Sequence, residues 1–204
     1  MRIVTWNVNS IRIRIEGIKR LNEQLNPDII CLQETKVIDS FFPVSELKSL
    51  GFKNIFFRGE KSYNGVAILS KIDVIEKEPT RFVNSEDKRH LIIILPNGIE
   101  VHNFYIPAGG DDINPETNPK FAFKLKYLDE ITDHFKAMRN EGKKIIMLGD
   151  INIAPLENDV WSHKQLLKEI SHTPIEIEKM DKLQKSLDWI DVSRFYVSED
   201  QKLY

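Results

Sequence analysis

Two acidic residues, each placed directly after an apolar run, are the residues of this sequence best suited to chemistry. Glu34 follows the run Ile29–Gln33, and Asp150 follows residues 145–149. Apolar runs this short indicate buried strands. A carboxylate at the end of a buried strand is costly unless a cation or hydrogen-bond donors lie beside it. The pattern predicts that two strands bring an acid to the same edge of a sheet, where one site could hold a cation.

Asparagine amides accompany both acids at a spacing of two. Asn7 and Asn9 follow the first apolar run, and Asn152 follows Asp150. Side chains two apart in a strand share a face, so these amides are expected beside the acids. Carboxylate and amide oxygens suit a hard ion such as Mg²⁺ rather than zinc, and such an ion would polarise a phosphate. Gly149 would allow another backbone or a ligand to approach closely.

The composition is that of an ordinary globular protein. The chain has 204 residues, of which 41% are hydrophobic and 29% charged, and we expect a single domain over residues 1–204. It contains no apolar run long enough to cross a bilayer and no secretory signal at its start. The single cysteine, Cys31, excludes a disulfide framework. These features favour a cytoplasmic location without membrane association.

The net charge of −2 excludes nucleic-acid binding by bulk electrostatics, but it leaves room for a local basic face. Lysines 120, 124 and 126 are candidates for such a face. A solvated helix surface is the more common explanation for lysines in this pattern.

Short apolar strands alternate with helical patterns along the whole chain, without a linker or repeat, which indicates an α/β fold. Strands are predicted over residues 1–8, 28–33, 52–58, 65–70, 72–77, 91–95, 100–106 and 143–150, and helices over 15–25, 44–50, 121–138 and much of 161–194. Short connections between residues 52 and 77 predict antiparallel neighbours. Pro96-Asn97-Gly98 predicts a hairpin, whose second strand places Tyr105 and His102 on opposite faces.

Five sequence blocks, taken together and in this order, resemble exonuclease III of the AP endonuclease family, in the endonuclease/exonuclease/phosphatase superfamily. They are residues 6–12, 27–36, 64–70, 103–107 and 149–152. The block that ends in Gln33-Glu34-Thr35-Lys36 is the most specific. The resemblance implies a four-layer α/β sandwich of two mixed β-sheets flanked by helices. It also implies a DNA-repair phosphodiesterase that uses Mg²⁺, or Mn²⁺ in its place, to nick abasic sites and to trim 3′ ends.

The resemblance assigns roles to five residues. Asn7, Glu34, Asp150 and Asn152 are implied to hold the metal ion. Tyr105 would contact the phosphate, Asp150 would orient or deprotonate the attacking water, and Asn152 would help to place phosphate and water. From the residues alone, structural roles stay open: the two acids could pair with basic residues at a sheet edge, and Tyr105 could be a packing residue.

The resemblance also implies a DNA partner. Double-stranded DNA with abasic sites or 3′ ends would contact Asn9, Arg12, Asn64 and Arg89. No protein partner is indicated, and the resemblance implies a monomer.

One part of the family pattern is missing from this sequence. The family continues into an aromatic block, an acid-bearing strand and a closing Asp-His pair, whereas this sequence stops at Tyr204. We therefore expect a domain that is incomplete at its C-terminus. The alternative to an active enzyme is a catalytically impaired or inactive DNA-binding fragment, since one general acid or base often contributes ~10²–10⁴-fold in rate.

Overall fold

The computed structural model describes residues 1–203, which form two compact units. The first unit contains residues 1–105 and 143–151. The second contains residues 106–142 and the chain from residue 152 onward. A single domain over residues 1–204 stays a prediction.

The first unit contains two mixed four-stranded sheets and two helices. The strand order is β1-β2-β4-β3 in one sheet and β5-β6-β7-β8 in the other. The strands are β1 (Ile3–Asn7), β2 (Ile29–Gln33), β3 (Asn54–Glu60), β4 (Tyr63–Ser70), β5 (Ile75–Lys77), β6 (His90–Ile94), β7 (Glu100–Tyr105) and β8 (Ile145–Asp150), and the helices are α1 (Ile15–Leu25) and α2 (Val44–Ser49). The α/β class and the two mixed sheets expected from the sequence are confirmed.

Strand direction brings the candidate residues to common edges. β1 runs parallel to β2 and β7 runs parallel to β8, whereas all other pairs are antiparallel. β1 and β8 are edge strands of different sheets and lie in contact. Because the carboxyl ends of parallel strands meet at one edge, the residues that end these strands can share a site.

The two sheets pack face to face over an apolar core. Ile29 and Cys31 of β2 and Val66 and Ile68 of β4 meet Leu91 and Ile93 of β6 and Val101 of β7, and the buried members of this cluster are at most 3% exposed. A second cluster lies on the other face of β1, β2 and β4, where Ile18 of α1 and Leu47 of α2 are fully buried. The 3.6-residue spacing of the apolar residues of α1 accounts for that packing, and Asn26 ends the helix in the left-handed conformation at φ 42°.

A buried polar bridge joins the two sheets near the site. Gln33, at the end of β2, donates from Nε2 to Asn103 Oδ1 at 2.7 Å. Asn103, on β7, donates in turn to the carbonyl oxygens of Leu32 and Ala67, both at 3.0 Å. These hydrogen bonds fix the position of β7 relative to β2.

Most predicted strand pairings are confirmed, with one exception. β3 and β4 are antiparallel neighbours, and β6 and β7 form the predicted hairpin. The expectation that β5 would join β4 is wrong, because β5 pairs with β6 in the other sheet. The chain changes sheets after Ser70, whose hydroxyl donates to the Ile72 carbonyl oxygen at 2.8 Å. Short sequence spacing cannot reveal such a change of sheet.

The second unit is helical. Its helices are α3 (Pro119–Met138), α4 (His163–Leu166), α5 (Pro174–Ser186) and α6 (Val192–Tyr196). Asn118 caps α3 and Thr173 caps α5, each followed by a proline that favours the first helical turn. α3 packs against α5, and its apolar face is buried as predicted. Within the described residues, no helix is long and apolar enough to span a membrane.

Candidate active site

The site is built at the ends of four strands of the first unit. Asn7 ends β1, Glu34 follows β2, Tyr105 ends β7 and Asp150 ends β8. The register pairs Asn7 with Gln33 and Tyr105 with Asp150, so each parallel pair finishes at one level. The prediction that two strands bring their acids to one site is confirmed, but the expectation of a single sheet is wrong, because β2 and β8 belong to different sheets.

The side-chain amide of Asn7 links the two acids. Its Nδ2 donates to Glu34 Oε1 at 2.8 Å and to Asp150 Oδ2 at 2.7 Å. Its Oδ1 accepts from the backbone N–H of Asn9 at 3.1 Å, which fixes the orientation of the amide. Both amide protons therefore face carboxylates. In this arrangement Asn7 holds the acids together as a donor, and its predicted role as a metal ligand stays a prediction.

Glu34 is surrounded by donors. Lys36 Nζ lies 2.7 Å from Glu34 Oε2, and the Tyr105 hydroxyl also hydrogen-bonds the carboxylate. Burial acts most strongly and would raise the Glu34 pKa, but the hydrogen bonds from Lys36 and Asn7 are the chief effects that together hold the pKa below its ordinary value. Glu34 is therefore ionised at neutral pH and can bind a cation.

Tyr105 stays protonated beside this carboxylate. Burial and the negative charge of Glu34 raise the pKa of Tyr105 well above its usual range, although the positive charge of Arg89 opposes them. A protonated phenol can donate a hydrogen bond but cannot act as a base at neutral pH. Its chemistry at the site is that of a donor to an anionic oxygen.

The backbone around Glu34 is strained. Glu34 has φ 54° and Lys36 has φ 50°, both in the left-handed region that is unfavourable for residues other than glycine. The carbonyl oxygen of Glu34 accepts from Ser10 N at 2.7 Å, and Thr35 N donates to the Gly65 carbonyl oxygen at 3.2 Å. These bonds hold a conformation that costs about 1–3 kcal/mol per residue. The left-handed conformation of Glu34 ends the extended path of β2, which stops at Gln33.

Gly149 permits the approach of β7 to β8. A Cβ atom on Gly149 would lie 1.9 Å from the carbonyl oxygen of Phe104. Of the two possibilities raised by the sequence, a backbone rather than a ligand occupies this space. Glycine is therefore required for β8 to place Asp150 next to Tyr105.

The donor set fits a hard divalent ion. Glu34 and Asp150 supply carboxylate oxygens that lie within reach of one amide nitrogen. In residues 1–203 no group of three or more His, Cys, Asp or Glu side chains forms a complete metal cage. Mg²⁺ is commonly held by one or two carboxylates, with water and substrate phosphate completing its shell. Two carboxylates therefore suit Mg²⁺ and do not suit a structural zinc site.

Arg89 contacts Tyr105 instead of solvent. Its guanidinium carbon lies 4.9 Å from the centre of the Tyr105 ring and 5.2 Å from that of Tyr63. It donates from Nε to Asp87 at 2.7 Å and from an Nη to the Tyr63 hydroxyl at 2.8 Å. Arg89 is only 4% exposed, which leaves little surface for the predicted DNA contact. The cation–π contact of the Arg89 guanidinium with the Tyr105 ring keeps that ring in position.

The other predicted DNA contacts divide into exposed and buried residues. Asn9 and Arg12 are exposed, and Asn9 Oδ1 accepts from Lys36 Nζ at 2.6 Å. Asn64 is 2% exposed and donates to Glu60 at 3.2 Å, so it also offers little surface to a phosphate. Asn9 and Arg12 are therefore exposed enough to make the DNA contact that the sequence predicted. Asn64 and Arg89 are buried.

Asn152 belongs to the second unit. It has φ 54°, and its Nδ2 donates to the Ile106 carbonyl oxygen at 2.9 Å. Its own carbonyl oxygen accepts from Lys124 Nζ at 2.7 Å. Its predicted roles in metal binding and catalysis stay predictions, and these two hydrogen bonds join it to the segment that follows β7 and to α3.

Two lysines near these residues were not recognised from the sequence. Lys36 pairs with Glu34, whereas the sequence distinguishes it only as part of the most specific block. Lys124 was expected on a solvated helix face together with Lys120 and Lys126, but its side chain is 0% exposed. That expectation is wrong for Lys124. The signal lay in helical spacing, because Lys124 stands three residues after Phe121 and four before Leu128, both of which are buried.

Comparisons with known proteins agree with this geometry. A model of the endonuclease/exonuclease/phosphatase family matches residues 4–195. The chain is 32% identical over 168 residues to exodeoxyribonuclease III of Haemophilus influenzae, a match that covers 78% of this chain and 60% of that protein. This chain therefore spans less than two thirds of the length of that relative.

Solved structures show the same fold. An AP endonuclease from Archaeoglobus fulgidus superposes with a TM-score of 0.86 and 29% identity, covering all of this chain and 77% of that one. The 3′ phosphatase NExo from Neisseria, solved with a product DNA hairpin, superposes with a TM-score of 0.86 and 26% identity at the same coverage. With a family match over most of its length and the two carboxylates joined at its strand ends, the chain belongs to the endonuclease/exonuclease/phosphatase family.

Proposed function

We propose that this protein is a Mg²⁺-dependent DNA-repair phosphodiesterase of the exonuclease III type, which incises DNA at abasic sites and removes nucleotides from 3′ ends. The relatives support the class of substrate, because they include an exodeoxyribonuclease, an AP endonuclease and a 3′ phosphatase bound to a DNA product. We further propose a cytoplasmic location, since the only cysteine, Cys31, is fully buried and unpaired with another cysteine.

The observation that carries this proposal is the shared hydrogen bond of Asn7. One amide nitrogen lies within 2.8 Å of both Glu34 and Asp150. Two carboxylates held this close repel each other unless a cation or a donor lies between them. Here a neutral amide spaces the two acids while Lys36 pairs with Glu34, so two carboxylates are held together at one point, and this arrangement favours cation binding.

Three residues of the chain are assigned separate roles in phosphodiester hydrolysis. We assign to Asp150 the role of accepting a proton from the attacking water or of orienting it, because its carboxylate ends β8 beside Tyr105 and lies 2.7 Å from the Asn7 amide. Tyr105 is protonated and donates to an anionic oxygen, in the ground state that of Glu34 and, with substrate, a non-bridging phosphate oxygen. The resemblance assigns to Asn152 the placement of phosphate and water.

Glu34 and Asp150 would hold the divalent ion. When bound, the ion supplies charge neutralisation and Lewis-acid polarisation of the phosphate. Lys36, at 2.7 Å from Glu34, and Asn7 keep the Glu34 carboxylate oriented and ionised before the ion binds. Mn²⁺ prefers the same oxygen donors and would replace Mg²⁺.

The exposed residues Asn9 and Arg12 are the proposed contacts to the DNA backbone. They lie directly after β1, which ends at Asn7. A local contact of this kind agrees with a net charge of −2, because only a few phosphates need to be neutralised. We therefore expect modest affinity with a shallow dependence on salt.

The test is incision of a duplex that carries one abasic site. The wild-type chain is incubated with the duplex and Mg²⁺ beside Glu34→Gln, which keeps the size of the side chain and removes its charge. Incision that requires Mg²⁺ and falls at least about 100-fold in the variant is the expected result. An undamaged duplex with a recessed 3′ end reports exonuclease activity in the same experiment.

Two outcomes would contradict the proposal. Incision that Glu34→Gln leaves intact would show that another site or a contaminant is responsible. Binding of the abasic duplex without incision in Mg²⁺ or Mn²⁺ would favour a non-catalytic DNA-binding protein. A thermal melt of the variant serves as the control for folding, and Glu23→Gln, an exposed glutamate on α1, is the matched charge control.

A further inference from the structure

A buried lysine in the second unit contacts the backbone of a predicted site residue. Lys124 of α3 is 0% exposed, and its ammonium group has three oxygen neighbours. They are the carboxylate of Glu176, the Asn152 carbonyl oxygen at 2.7 Å and the Ala108 carbonyl oxygen at 3.2 Å. An ammonium group has three N–H donors, so each donor has an acceptor.

Glu176 is itself fixed. It is 0% exposed, and it accepts from the backbone N–H of Ser171 at 2.9 Å and that of Thr173 at 3.1 Å. It also accepts from the Thr173 hydroxyl at 2.6 Å, as part of the capping box of α5. The carboxylate therefore has no freedom to follow the lysine, and the position of the Lys124 ammonium is set by the start of α5.

The two carbonyl oxygens held by Lys124 belong to loops that have little regular structure. Asn152 is in the left-handed conformation at φ 54°, and its side chain donates to the Ile106 carbonyl oxygen at 2.9 Å. Gly109 packs against the lysine stem so closely that a Cβ atom there would lie 3.1 Å from Lys124 Cδ. One ammonium thus ties the segment after Asp150 to the segment after Tyr105, and the Asn152 amide reinforces the same link.

A buried ion pair needs a reason, because apolar residues of the same volume are often equally stable or more stable. Here the ammonium reaches two backbone carbonyl oxygens that no apolar side chain could hold. Asparagine tolerates the left-handed conformation of Asn152 better than most residues, but contacts around the residue are still needed to impose it as the single conformation. The lysine supplies one of the contacts that impose it.

We propose that Lys124 is a positioning residue, which acts through Asn152 from a buried ion pair with Glu176. Lys124 does not contact the substrate. It fixes the peptide of Asn152, so that the side-chain amide is held in one place before the phosphate arrives. The inference rests on the nuclease function proposed above only for its kinetic part, since the local order that Lys124 imposes is measurable without substrate.

The test uses the double variant Lys124→Met, Glu176→Gln. Methionine retains the apolar stem without the charge, and glutamine retains an acceptor for the amides of Ser171 and Thr173. Because both buried charges are removed together, the fold is expected to survive. The hydrogen bonds to the Asn152 and Ala108 carbonyl oxygens are lost. Lys182→Met, Glu178→Gln is the matched control, because that lysine and glutamate form an exposed pair on α5 with 59% and 63% exposure.

Hydrogen exchange gives the readout that does not depend on activity. Amides in residues 106–110 and 152–154 are expected to exchange faster in the double variant, while the melting temperature and exchange in β2 and β7 stay close to wild type. Unchanged exchange in both segments would overturn the proposal whether or not the protein cleaves DNA. If the double variant does not fold, Lys124→Arg is used instead, because it keeps the charge beside Glu176 and alters the donor geometry.

Kinetics give the second readout. The double variant is expected to lower kcat roughly 10- to 100-fold with little change in KM, since misplacement of an orienting group is costly at the chemical step. In an Asn152→Ala background the same double substitution is expected to cost nothing further. A loss of equal size in both backgrounds would show that Lys124 does not act through Asn152. Absence of activity in the wild type would refute the proposed function, and hydrogen exchange would still decide the role of Lys124.

Discussion

Glu34 and Asp150 accept hydrogen bonds from the same nitrogen atom, Nδ2 of Asn7, although they follow strands of two different sheets. Contact between edge strands β1 and β8 makes this possible, because it brings the ends of β1, β2 and β8 together. The acids are close enough to share a cation and are spaced by a neutral group. The predictions concerning the site depend on this relationship.

Asn7→Ala is expected to lower the incision rate roughly 10- to 100-fold, because the acids lose their common donor and separate. Glu34 also loses a hydrogen bond that favours its charged form. The rate is measured at saturating Mg²⁺ with an abasic-site duplex. Asn97→Ala, in the exposed turn between β6 and β7, is the control. A wild-type rate in Asn7→Ala would rule out the bridging role.

Removal of divalent ions is expected to abolish incision and leave the fold intact. The site is held by hydrogen bonds among Asn7, Glu34 and Lys36 that need no ion. Adding Mg²⁺ at about 100 times its dissociation constant should then stabilise the chain by ~2.7 kcal/mol through mass action. Thermal melts with EDTA and with Mg²⁺ measure this increment, which should shrink in Glu34→Gln. A melt that shows unfolding in EDTA alone would indicate a structural metal instead.

Arg89→Met separates a DNA contact from a positioning role. A residue that contacts a phosphate contributes about one unit to the slope of log affinity against log salt. Because Arg89 is buried against the Tyr105 ring, its loss is expected to lower kcat without changing that slope. Binding titrations at several salt concentrations supply the slope, and Arg12→Met, which alters an exposed residue, should reduce it. A reduced slope in Arg89→Met would show that Arg89 contacts a phosphate directly.

Glu100 is expected to make stability sensitive to acid. Burial is the largest effect and would raise the Glu100 pKa, but the hydrogen bond and charge of Lys77, with help from His102 and Lys143, lower it from its ordinary value of 4.5. A carboxyl group with a lowered folded pKa stabilises the protein above pH 4.5, and this contribution is lost as the pH falls through the folded pKa. Glu100→Gln should therefore flatten the acid limb of a plot of unfolding free energy against pH. An unchanged limb would contradict the assignment.

The single variant Lys124→Met is expected to destabilise the protein by about 3–5 kcal/mol, because it leaves a buried carboxylate without its cation. Adding Glu176→Gln should recover most of this loss. Urea denaturation of the two variants measures the difference in the free energy of unfolding. A loss below about 1 kcal/mol in the single variant would mean that the pair is not buried in solution.

The amino-acid sequence by itself determined the strands, the long helix and the residues at the strand ends. Apolar runs of strand length fix β2 and β8, and the polar residue that ends each run fixes Glu34 and Asp150 as site candidates. These are local properties, since a strand or a helix is selected by the spacing of its own apolar residues. The sequence blocks around Asn7 and Glu34 also indicated the family to which the chain belongs.

Only the tertiary structure decided how these residues meet. The pairing of β5 with β6, the orientation of the Asn7 amide, and the burial of Arg89 and Lys124 all depend on contacts between segments distant in sequence. Helical spacing places Lys124 on the buried face of α3, but only the structure shows the Glu176 carboxylate and the two loop carbonyl oxygens that accept from its ammonium group. Hydrogen-bond partners from other segments decide whether a polar side chain is buried, and no local pattern in the chain contains them.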